Sequence, residues 1–127
     1  FTASASDSST PSFAAWAELA DAAGVPASDP FVANGYDATF MMALAIEHAG
    51  SADREVIAES LRAIASGPGV LILPGQWAEA KVLLAAGYNI NYEGAAGNQD
   101  FDENGDVAGN FSKSTIVDGA WAAELIQ

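Results

Sequence analysis

Apolar residues along this chain fall into four stretches with helical spacing and a few short runs that suit strands. Residues 1–12 (FTASASDSSTPS) are small and polar without periodicity, and 1–11 read as a flexible lead-in. Phe13, Trp16, Ala17 and Ala20 then recur at three- and four-residue intervals. With Ser12 as a candidate cap and Gly24 and Pro26 as stops, they predict a helix over 12–23. After the turn-rich Val25–Pro30, the run Phe31-Val32-Ala33-Asn34-Gly35 predicts an extended segment entering a loop, because Asn-Gly is a turn dipeptide. Tyr36–Ala49 is apolar nearly all round, which predicts a helix buried on most sides.

Ser51 or Asp53 is placed to cap a further helix, in which Ile57, Leu61 and Ile64 form an apolar stripe opposite Arg54, Glu55, Glu59 and Arg62. Gly67-Pro68-Gly69 ends it. Val70–Leu73 is a short strand-like run, and Pro74-Gly75 precedes a helix over 76–86 that Gly87 stops. Tyr88–Gly97 is rich in Asn and Gly and carries no predicted element. Asn104-Gly105 predicts a hairpin turn, 111–117 a strand, and Asp118–Gln127 a short tail whose Trp121, Leu125 and Ile126 are available for packing. Four helices against so few strands make an unbalanced α/β domain, since helices of that class cover a sheet. The 36–49 helix is therefore expected to need a surface from a larger fold or a partner.

The chain has 127 residues, enough for one core, and half are apolar, so it should fold. Seventeen acids face only Arg54, Arg62, Lys81 and Lys113, for a net charge of -13. That charge repels phosphate backbones and anionic membranes, and argues against nucleic acid as a partner. There is no Cys, which removes disulfides and thiol chemistry. No uninterrupted apolar run reaches about 18 residues, so no direct membrane insertion is expected. The first residue is Phe1 and not Met, which leads us to expect a removed signal or a piece of a longer protein.

Candidate chemistry is sparse. Asp100-x-Asp102-x-Asn104-Gly105-Asp106 matches the first seven positions of an EF-hand loop, but its twelfth is Phe111 where a bidentate Glu belongs. The plainer reading is a solvated Asn-Gly turn; the other is a free-standing calcium-binding interaction domain. His48 is the sole histidine and sits near a helix end, where a structural role suits it better than catalysis. Acid pairs such as Asp100 with Asp102 carry little weight among seventeen acids. No nucleotide-binding glycine motif is present. These observations predict no enzyme and no cofactor. Phe31–Asp37 differs, with two aromatics and an amide at the mouth of a helix, where free N–H groups and aromatic walls can hold a small polar ligand. The alternative is that Phe31 and Tyr36 are core residues and Asn34 or Asp37 only a cap.

Several stretches together resemble the carboxy-terminal third of periplasmic solute-binding proteins of ABC importers, of the branched-chain amino-acid and amide (Leu/Ile/Val-binding) type. They are Asn34-Gly35-Tyr36-Asp37-Ala38, Ala45–Ser51, Pro74-Gly75-Gln76-Trp77, Ile90–Gly97 and Asp100–Asp106, in order between about 31 and 117. The resemblance implies an α/β fold, part of a type I periplasmic-binding-protein lobe. On it, 1–110 form the carboxy-terminal part of the first lobe, and 111–127 a crossover strand and tail toward the second. It implies a small solute, an amino acid or amide, bound between lobes and delivered to an ABC permease, in a periplasmic or extracytoplasmic setting. The alternative partner is a regulator, with the chain as the sensing lobe of a receptor of the same fold. Phe31 matches the position of an aromatic that touches the ligand side chain, with Asn34 and Tyr36 as lesser contacts. Most strands of the lobe would come from elsewhere, and the bared helix faces would favour self-association of the fragment.

Overall fold

A computed structural model describes residues 2–4, 8–109 and 111–126. Two three-stranded sheets and four helices follow in the order β1 (Thr2–Ser4), α1 (Pro11–Ala22), α2 (Val32–Ala49), α3 (Arg54–Ala65), β2 (Val70–Ile72), α4 (Trp77–Ala85), β3 (Ile90–Gly94), β4 (Gly97–Asn98), β5 (Phe111–Val117) and β6 (Ala120–Ile126). β2 and β3 run parallel, joined by α4, and β4 turns back antiparallel beside β3. β5 lies between β1 and β6, antiparallel to both. This is an α/β arrangement, part of a type I periplasmic-binding-protein lobe, in which, among the described residues, two parallel strands serve four helices.

Local chemistry sets most helix ends. Thr10, and not Ser12, caps α1: its Oγ1 accepts from the Phe13 N–H at 3.1 Å, and Pro11 fills the first helical position, where its missing N–H costs nothing. Ser12 is instead buried. Asp53 caps α3 through the N–H groups of Glu55 and Val56. Gly50 and Gly87, both at positive φ, stop α2 and α4.

The main core gathers Met41, Leu44 and Ala45 of α2, Ile64 and Ala65 of α3, Ile72 of β2, Ala80 of α4, and Ile90 and Tyr92 of β3. A second cluster joins Trp16 and Ala20 of α1 to Ala33 of α2 and to Ala95 and Ala96 in the β3–β4 turn.

Five further sequence expectations need correction. The lead-in carries a strand, Thr2–Ser4, because β5 offers it a ladder edge. α2 begins four residues earlier than expected and absorbs Asn34-Gly35, since Ala33 gains burial against Trp16 and the turn alanines. That helix is also less enclosed than expected, for Met42 and Ile46 stay exposed on its outer side. Ile90–Gly94 is a central strand, its alternating burial revealing the period-two pattern that the Asn and Gly residues obscured. The tail is strand β6, turned back by Asp118 (φ 51) and Gly119 (φ 80), the two-residue connection that matches strand twist. Its Trp121 is exposed and not packed.

Candidate functional site

In parallel α/β sheets the loops at the carboxyl ends of the strands are where ligands meet the protein. Here that edge is built from Leu73–Gln76 after β2, Gly94–Gly97 after β3, and the amino-terminal turns of α2. Two adjacent residues of α2 tie these pieces together. The Tyr36 hydroxyl accepts from the Gly75 N–H at 2.9 Å, and the Asp37 carboxylate accepts from the N–H groups of Ala95 at 2.7 Å and Ala96 at 2.8 Å. Each thus grips the loop after one parallel strand.

Asp37 is buried and also accepts from the Tyr92 hydroxyl at 2.7 Å. Burial pushes its carboxyl above the ordinary range, while the backbone donors and Tyr92 pull part of that shift back. Burial, and then the Asp37 charge, push the Tyr92 phenol far above its usual value, so Tyr92 is fixed as a donor. Gln76 closes the other loop, its Oε1 accepting from the Leu73 N–H and its Nε2 donating to Glu79.

Above this frame stands Phe31. It occupies the cap position of α2 in the left-handed region, at φ 64, and is 70% exposed. No side chain caps the helix there, although the Val32 N–H reaches the Asp29 carbonyl at 3.4 Å. A left-handed Phe costs about 1–2 kcal/mol, and this side chain buries little in return. Asn34 and Tyr36 lie roughly 200° apart around the helix and so line different cavities. Asn34 borders one of about 330 Å³ with Asp37, Met41, Met42, Leu61, Gln99 and Phe101. Tyr36 borders one of about 280 Å³ with Trp16, Leu19, Ala20, Val25 and Val32. The three predicted contacts therefore share the mouth of one helix without converging on one cavity.

Chain comparison bears on what this mouth serves. Residues 6–112 match the family described as the receptor family ligand binding region. The chain belongs to that family. This receptor-family ligand-binding region is also 35% identical, over 71 residues, to the chemotactic signal transduction system substrate-binding protein BasB of Halobacterium salinarum. The match covers 56% of this chain and 17% of that protein's length. No solved structure matches. Both descriptions name binding and neither names catalysis.

The remaining candidates resolve locally. In the Asp100–Asp106 stretch, Asp102 Oδ1 accepts from the N–H groups of Asn104 and Asp106 in its own turn, and these bonds hold its carboxyl below the usual range. Phe101 and Val107 bridge across it, giving the Asn-Gly hairpin. His48 lies in the last turn of α2 with Nδ1 3.0 Å from the Ser60 hydroxyl, far along the helix from Phe31. Asp37 is the residue that sequence reasoning undervalued. Its partners lie 55–62 positions away, so no local pattern marks it as more than a cap.

Proposed function

We propose that this ligand-binding region is the carboxy-terminal part of the first lobe of an extracytoplasmic solute-binding protein of the Leu/Ile/Val-binding type. It captures a small polar solute, an amino acid or amide, for delivery to an ABC permease. The observation that carries this is Phe31, an exposed aromatic held at positive φ over an uncapped helix mouth at the carboxyl edge of parallel strands. Such strain gathers at sites of function, and an exposed ring at a helix mouth without a side-chain cap suits a solute with apolar and polar parts. Phe31 is the main contact, with Asn34 and Tyr36 at its flanks. Residues 111–127 pass toward the second lobe, supported by β5 pairing with β1 and β6 in a sheet separate from β2–β4. Exposed Met42 and Ile46 make self-association of the isolated chain an expected side effect.

One wall cannot desolvate a solute, so the chain alone should bind no tighter than about 1 mM. In an NMR titration with L-leucine, L-valine and acetamide, at least one should shift the amide signals of Val32–Gly35, and Phe31→Ala should abolish the effect. An absence of shifts there with all three, or shifts centred at His48, would refute the reading.

A second reading, favoured by the chemotactic description of the H. salinarum relative, makes the same site a sensor that feeds a membrane transducer. Cross-linking the full protein in cells separates the two by whether a permease or a transducer is captured.

A further inference from the structure

The β3–β4 connection is only two residues long, Ala95-Ala96 between the paired Gly94 and Gly97, and both of its N–H groups point at one carboxylate. Converging backbone N–H groups of this kind make an anion-binding concavity. Here an internal anion fills it. The fit is close: a Cβ built on Gly94 would stand 2.6 Å from Asp37 Oδ2, so only glycine lets the strand end approach the carboxylate. Ala95 and Ala96 pack in turn against Ala33 in the first turn of α2 and against Trp16 of α1.

We propose that Asp37 is a positioning residue whose carboxylate, seated in the Ala95–Ala96 nest, sets where the mouth of α2, with Phe31 and Asn34, stands relative to the strand ends. The nest is thereby closed to any carboxylate of the solute, which must be bound by other groups. Only this meaning for binding rests on the proposed function. The clamp itself is tested without solute, so its failure and that of the solute reading remain distinct.

Removing the carboxylate should create a vacancy that formate fits. Asp37→Ala should lower the melting temperature and displace the amide signals of Val32, Ala33 and Asn34. Sodium formate should restore most of both, and sodium chloride of equal ionic strength should not. The chloride control matters because a chain of charge -13 responds to any salt. Wild type should show no difference between the two salts. Equal effects of formate and chloride on Asp37→Ala would overturn the proposal. If that variant does not fold, Asp37→Asn replaces one acceptor oxygen by a donor. It should accelerate hydrogen exchange at Ala95 or Ala96 beyond every other turn amide, and uniform exchange would equally overturn the idea. Gly94→Ala, which presses on the same oxygen, should displace the same Val32–Asn34 signals, and a normal spectrum for it would count against the clamp.

Discussion

The helical body and the β1–β5–β6 sheet are held together by different means. In the body, side chains from α2, α3, α4, β2 and β3 converge on one core, so each element is ordered by residues distant in sequence. In the sheet, β5 and β6 are joined by Asp118-Gly119, two residues that both adopt positive φ, while Ile116, Val117 and Trp121 stay exposed. The body is ordered by side-chain packing, and the sheet, among its described side chains, by a backbone ladder closed at a turn. Substitutions should therefore act through burial in the first and through backbone conformation in the second.

The largest expected effect is in the body. Leu44 is wholly buried, and Leu44→Ala should cost about 2–5 kcal/mol, read as a lower midpoint in urea. In the sheet the sensitive position is the turn: Gly119→Ala forces a β-carbon into the left-handed region at φ 80 and should cost about 1–2 kcal/mol, with faster exchange of the β5–β6 amides. Asp53→Ala, which removes the α3 cap, should destabilise the body by about 1 kcal/mol. Ile116→Ala, on an exposed strand surface, should stay within about 0.5 kcal/mol. A loss at Ile116 comparable to that at Leu44 would show that the sheet packs against something and would erase the contrast.

The smallest effects concern pH and have opposite signs. Asp102 is held below its unfolded value near 3.8 by the N–H groups of its own turn. Its contribution is present above that value and lost as pH falls through the folded one. Glu93 is raised from its unfolded value near 4.5 by burial and then by the charges of Asp100 and Asp37. Its contribution is present below that value and lost as pH rises through the folded one. Melting curves between about pH 3 and 7 should show Asp102→Asn reducing the loss of stability in acid, and Glu93→Gln slightly raising the melting temperature at neutral pH.

Much of the architecture was legible wherever the signal was local. The stripe Ile57, Leu61 and Ile64 with Asp53 before it marks α3, and Gly87 marks the end of α4. Two further signals were present but masked: Ile90-Asn91-Tyr92-Glu93-Gly94 alternates as a strand should, and Asp118-Gly119 is as strong a hairpin signal as Asn104-Gly105. The start of α2 was not legible, because Val, Asn and Gly are poor helix formers and only burial of Ala33 against Trp16 outweighs them. At the candidate site, the aromatic mouth could be named from Phe31, Asn34 and Tyr36, but the separation of Asn34 and Tyr36 into two cavities could not.

By itself the sequence determined the helix stops, the cap at Asp53, the acidic surface, and the presence of an aromatic at the mouth of α2. These rest on conformational preferences and charges that each residue carries wherever it sits. Tertiary structure alone decided that Asp37 and Tyr36 would each grip the loop after a different strand, and that Phe31 would stand exposed at positive φ above them. The reason is that a buried carboxylate is tolerated only where several donors meet it, and donors separated by more than fifty residues converge only when the chain has folded.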